Sequence, residues 1–167
     1  MEVDEIKVGL FATIEQDLKQ RGFIIDHCDM NRAWGGFFVI NETQAEEFAQ
    51  CYFAGIGLNE LKISGKLSPK LLLVAPQKRL SWQYHHRRAE IWKVIKGIVG
   101  VVTSVTDEEG PLEVISSGKL IKLEQGDRHR LVGLDQWAIL AEIWQHTDPE
   151  NPSDEDDIVR LQDDFGR

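Results

Sequence analysis

The chain has 167 residues, 42% hydrophobic and 28% charged, with a formal net charge of −9, enough for one domain with a sizeable core. The negative charge argues against non-specific binding to nucleic acid or an anionic membrane, and no apolar run approaches the ~18 residues of a membrane span. Cys28 and Cys51 form no CxxC and have no metal-type spacing, so two free thiols in a cytoplasmic protein are expected, as is the absence of a secretory leader from the acidic opening "MEVDEIKVGL".

Val3, Ile6, Leu10, Phe11, Ile14 and Leu18 recur at helical spacing before Gly22, which predicts an N-terminal amphipathic helix. A loop follows, then "AWGGFFVI", a strand-like aromatic run interrupted by two glycines. Thr43 and Glu46 have capping-box spacing ahead of a helix reaching about Phe53. Residues 1–60 thus read as a helical extension packed on the body. From Leu61 to Asp148 short apolar runs alternate with Gly and Asp turn signals, the pattern of an antiparallel barrel or sandwich. Residues 149–167 are rich in acid and proline, yet Ile158, Val159, Leu161 and Phe165 predict that part of this tail docks.

"QYHHRRAEIW", Gln83 to Trp92, sets ligand-type side chains between two strand-like flanks. With period two, Gln83 and His85 approach one point together. A turn through "HRRA" returns Glu90 toward it, and His129 follows the "GD" turn of "GDRH". Two imidazoles and a carboxylate, with an amide oxygen, suit a divalent metal with open positions. The alternative is a set of satisfied polar residues at a barrel rim. Glu142, inside the apolar run "AILAEIW", is a candidate general base because burial raises a carboxyl pKa toward neutrality. Its alternative is pairing with an arginine on the outer sheet face.

The spacings Q-x-H-x4-E-x6-G from Gln83 to Gly97 and G-x5-E-x-G-x2-H from Gly118 to His129 resemble the two motifs of the cupin superfamily. Gln83 stands where the first His is usual, Glu124 where Pro is, and Gly133 where Asn is. "RLSWQYHHRRAEIWKVIKG", "GDRHRL" and "EDDIVRLQDDFGR" further resemble segments of the cupin-type phosphomannose isomerases. The resemblance covers about Lys70 to Arg167 and leaves out the N-terminal helices. It implies a double-stranded antiparallel β-helix, or jelly roll, with N-terminal helices. It also implies one divalent metal held by Gln83, His85, Glu90 and His129, zinc first, with Mn, Fe, Co or Ni as alternatives.

The activity so implied is aldose–ketose isomerisation of a phosphosugar: mannose and fructose 6-phosphate first, a heptose phosphate next. Lys70, Arg160 and Arg167 match family basic residues and are expected to meet the phosphate, with residues 149–167 closing over the barrel mouth. Arg160 and Lys70 are also placed with Glu142 in catalysis, and His86 beside the ligands rather than among them. Trp82, Trp92, Trp137 and Trp144 are expected in the core or on a homodimer face. Competing readings are a cupin that binds a sugar or sugar phosphate without turning it over, a metal-dependent dioxygenase, and a purely structural cupin.

Overall fold

The computed structural model describes residues 2–62 and 65–167. Helix α1 (Glu2–Gln20) precedes strands β1 (Ile25–Arg32) and β2 (Gly35–Ile40). A 3-10 turn over Glu42–Gln44 leads into α2 (Ala45–Tyr52), and the single helical turn α3 (Leu58–Leu61) follows. Then come β3 (Lys70–Val74), β4 (Trp82–Tyr84), β5 (Arg88–Lys96), β6 (Ile98–Ser104), β7 (Leu112–Ser116), β8 (Leu120–Leu123), β9 (Arg128–Gly133), β10 (Ala138–His146) and β11 (Val159–Gln162). They form two antiparallel sheets, in the orders β1-β2-β3-β10-β5-β8 and β11-β4-β9-β6-β7.

Strand β3 shows why the first sheet anchors the molecule. All five of its residues are buried. Leu71 and Leu73 pack outward with Phe11, Leu18, Phe38, Phe48, Ile91 and Ile143, beneath α1 and α2. Leu72 and Val74 point inward to Trp34, Phe37, Val94, Leu131 and Leu140, between the sheets. Alternation along the strand assigns neighbours to opposite faces, and both faces are covered, so the run reads as apolar throughout. Truncating Leu73 to alanine at this shared layer would cost about 2–5 kcal/mol.

The N-terminal part differs from expectation in three respects. Residues 25–40 form two strands that extend the first sheet, with β2 paired to β3, so residues 1–60 are not a purely helical addition. A Cβ on Gly35 would lie 1.9 Å from the Leu73 carbonyl oxygen, and one on Gly36 2.1 Å from that of Asp29; the glycines of "AWGG" let β2 fit between its neighbours. The Thr43/Glu46 box does not form. Asn41 caps instead, its side chain accepting from Thr43 N at 3.0 Å, and no side-chain bond caps α2. In α1 the buried stripe runs through Phe11 and Leu18, whereas Ile6 is exposed; the Val3 side chain lies outside the described residues.

At the other end, β11 pairs with β4. Phe165 packs against the inner cluster, while Leu161 stays exposed. Trp82, Trp92 and Trp144 are buried and Trp137 partly so. No described helix is long and apolar enough to cross a membrane.

Candidate metal centre and cavity

Two rows of partnered residues face each other across the barrel. In the second sheet Arg160 on β11 is opposite Gln83 on β4, which is opposite His129 on β9. In the first, Lys70 on β3 is opposite Glu142 on β10, which is opposite Trp92 on β5, and Glu90 is opposite Trp144. Between them lies a cavity of about 470 Å³, within the range of small-molecule sites.

His85 follows the end of β4, and the turn after it brings Glu90 back on β5. Ligand atoms of His85, Glu90 and His129 lie within 4.8 Å of one another, and the three residues are buried. His85 Nε2 is 3.2 Å from Glu90 Oε1, and His129 Nε2 is 3.7 Å from Glu90 Oε2. His85 Nδ1 meets the Asp157 carbonyl at 2.7 Å and His129 Nδ1 meets that of Asp127 at 3.1 Å. A carbonyl only accepts, so each ring donates from Nδ1 and turns its Nε2 toward the carboxylate.

Charge sharpens this arrangement. Burial pushes His129 down to about 4 against the opposing pull of Glu90, so its ring is neutral at pH 7. Burial would raise Glu90, but His85 and Arg88 outweigh it and hold the carboxyl well below its usual range. Two imidazole nitrogens turned toward an ionised carboxylate are a donor set suited to a cation, and the group could hold one metal ion. The Gln83 amide nitrogen lies 3.4 Å from His85 Nε2 and 3.5 Å from His129 Nε2, while its oxygen accepts from Ser81. Exchanging the two amide ends would turn the oxygen to the imidazoles.

Glu142 lines the same cavity and does not pair on the outer sheet face. Its oxygens accept from the indoles of Trp92 and Trp144, both at 2.8 Å. Burial, then repulsion from Glu90, raise it to about 7 against the pull of Lys70 and Arg88. The Trp92 indole also lies 3.1 Å from Glu90 Oε2, joining the two carboxylates.

The cavity's cations are Arg32, Lys70, Arg88, Arg130, Arg160 and Arg167. Lys70 pairs with Glu155 and stacks on Trp144. Arg167 pairs with Asp163 at 2.8 Å. Partial desolvation and the nearby charge of Arg167, with Arg32 contributing, disfavour the charge on Arg160, opposed by Asp163 and Glu155. Arg130 is held by the Leu80 carbonyl, Glu109 and Gln162, a structural anchor of the tail. His86 is exposed with its ring against Tyr84, outside the ligand cluster. The sequence reading missed Arg32, which reaches the rim from the β1–β2 hairpin with its guanidinium over Phe37 and Asp29 as partner; no local motif marks it.

Two antiparallel sheets enclosing a buried His–Glu–His cluster define a cupin barrel. The family described as mannose-6-phosphate isomerase C-terminal matches residues 46–163, and the chain belongs to that family. It is 28% identical over 151 residues to alginate biosynthesis protein AlgA of Pseudomonas aeruginosa, covering 90% of this chain and 25% of that protein. The chain thus spans about a quarter of the length of this curated relative. Among solved structures, Lactobacillus farciminis oxalate decarboxylase superposes with a TM-score of 0.56 at 17% identity, covering 81% of this chain and 33% of that one. The capsular polysaccharide assembling protein CapF of Staphylococcus aureus gives 0.55 at 13%, covering 84% and 34%. These two likenesses concern the fold.

Proposed function

We propose that this chain is a metal-dependent aldose–ketose isomerase of a phosphosugar, with mannose 6-phosphate and fructose 6-phosphate as first candidates and a related hexose or heptose phosphate next. One observation carries the reading. A buried carboxyl near neutral pKa shares a cavity with the His–Glu–His cluster and a cationic rim. Family membership and the similarity to AlgA support an isomerase-like protein.

His85, Glu90 and His129, with Gln83, would hold the cation, zinc first. A divalent cation there supplies positive charge against the oxyanion that develops as the carbonyl enolises. Glu142 takes the proton from the carbon next to the carbonyl and returns it to the adjacent carbon, while a proton passes between the two oxygens. The indoles of Trp92 and Trp144 hold Glu142 in place and stabilise its ionised form. Arg160, Arg167, Lys70 and Arg32 receive the phosphate; arginine's fork of donors suits its oxygens. The apolar walls, Leu72, Phe37 and Leu131, keep water from the enediol.

The test is incubation of the zinc-loaded protein with each phosphosugar in deuterated water, followed by NMR. Interconversion, with solvent deuterium entering the carbon that exchanges its proton, is expected. Saturable binding with neither interconversion nor exchange would favour the non-catalytic sugar-phosphate binder.

A further inference from the structure

We propose that the segment Ser153–Asp157 is a positioning strap for the metal ligands, so that cation retention and docking of the C-terminal segment form one linked equilibrium. This rests on the reading that His85, Glu90 and His129 hold a cation, and it is independent of which sugar is turned over.

Asp157 grips the ligand-bearing loop in two ways. Its backbone carbonyl accepts from His85 Nδ1 at 2.7 Å, which fixes the ring's tautomer and orientation. Its side chain, fully buried, accepts from His86 N at 3.0 Å, Arg87 N at 2.9 Å and the Ser153 hydroxyl at 2.6 Å. The carboxylate therefore holds the two residues after His85 while the carbonyl of the same residue holds the ring.

Glu90 is tied to the same segment through Arg88. The Arg88 guanidinium donates to Glu90 Oε1 at 2.9 Å, to the Ser153 hydroxyl at 2.8 Å and to the Asp154 carbonyl at 3.0 Å. Its Cζ stands 3.6 Å from the Trp144 ring centroid, a cation–π contact that helps to hold it. Ser153 N in turn donates to His146 Nδ1 at 2.9 Å. Two of the three acidic or imidazole ligands thus take their orientation from residues 63 or more positions away in the chain. An aspartate anchoring a loop for stability alone would satisfy the amides of His86 and Arg87. It would have no need to bring its carbonyl to a ligand ring or to share Ser153 with the guanidinium on Glu90.

Partners that orient metal ligands are typically worth 10–100-fold in metal affinity, and linkage makes the effect reciprocal. In the full-length protein, Zn²⁺ affinity measured by competition with a chromophoric chelator should fall 10–100-fold in Asp157→Ala. Asp157→Asn, which keeps an acceptor oxygen for one of the two amides, should recover part of it. The visible absorption of the Co²⁺-loaded protein should change in Asp157→Ala and move back toward wild type in Asp157→Asn. Equal Zn²⁺ affinity in wild type and a folded Asp157→Ala protein would overturn the strap and leave the isomerase reading untouched. Should Asp157→Ala fail to fold, hydrogen exchange on the wild type decides. Zn²⁺ should slow exchange at the amides of His86, Arg87 and Ser153, and unchanged exchange there on Zn²⁺ binding would overturn the proposal. A wild type that binds no Zn²⁺ overturns both this inference and the metal reading.

Discussion

Arg160 stands directly opposite Gln83 in the register of β11 on β4. One pairing of backbone strands thereby sets the tail's cation beside the residue next to the imidazole cluster. The Arg160 guanidinium makes no hydrogen bond or ion pair among the described residues, unlike that of Arg167 with Asp163, so it is available to an anion. Loss of a charge-assisted contact costs about 1.5–3 kcal/mol. Arg160→Ala should therefore reduce kcat/KM on a phosphosugar by about tenfold to more than a hundredfold. Metal content should be unchanged, and the loss should be much smaller on the sugar without phosphate. Arg32→Ala should act in the same direction. Wild-type efficiency of Arg160→Ala on phosphosugars would return the tail to a merely docked acidic segment.

The ligand set predicts a graded series. His85→Ala and His129→Ala each remove an imidazole whose other nitrogen is already fixed by a carbonyl, and each should abolish stoichiometric zinc while leaving a folded barrel. Gln83→Ala should weaken binding less, because a neutral amide oxygen is a poorer donor than imidazole. Metal analysis together with circular dichroism reads this out. Full metal content in all three variants would show the ligand set to be wrong.

The cluster was legible in the sequence because it follows local rules. Strand period two joins Gln83 to His85, and a tight turn returns Glu90. The docked tail was legible through its apolar residues. Strand β1 was not, since none of its eight residues is buried and a polar edge strand carries no alternating pattern. Arg32 and Asp157 were hidden for another reason. Arg32 comes to the cavity from a hairpin outside the family motifs, and Asp157 acts on His85 through a backbone carbonyl 72 residues away, an atom every residue possesses.

Glu142 should impose a pH profile. Its carboxyl lies near 7 because of burial and the nearby Glu90, and only the ionised form abstracts a proton. The isomerisation rate should therefore be full above about 7 and fall as pH drops through that value. Glu142→Gln should lower kcat by about 10²–10⁴-fold and remove this acid limb, with phosphosugar binding retained by calorimetry. A Glu142→Gln enzyme with wild-type kcat would assign the proton transfer to another group.

His146 should make the docking of the tail sensitive to acid. The buried ring accepts the Ser153 amide at Nδ1 (2.9 Å) and meets the Ser68 hydroxyl at Nε2 (2.9 Å), so the neutral form is the one that fits. Burial, then the charges of Lys66 and Arg88, lower it to about 4, opposed by Asp157. The unfolded chain, with an ordinary histidine near 6.5, then binds more protons than the folded one between 6.5 and about 4. Stability is thus fully present above 6.5 and is lost as pH falls toward 4, by up to about 3 kcal/mol for this group. Proteolysis within the segment after Asp148 should be faster at pH 5 than at pH 7.5. His146→Gln, which keeps an acceptor but does not titrate, should lose part of that difference, the remainder coming from His129, itself lowered to about 4. Site-resolved NMR separates the two. A His146 ring that titrates at its ordinary value near 6.5 would show that protonation leaves the Ser153 contact intact.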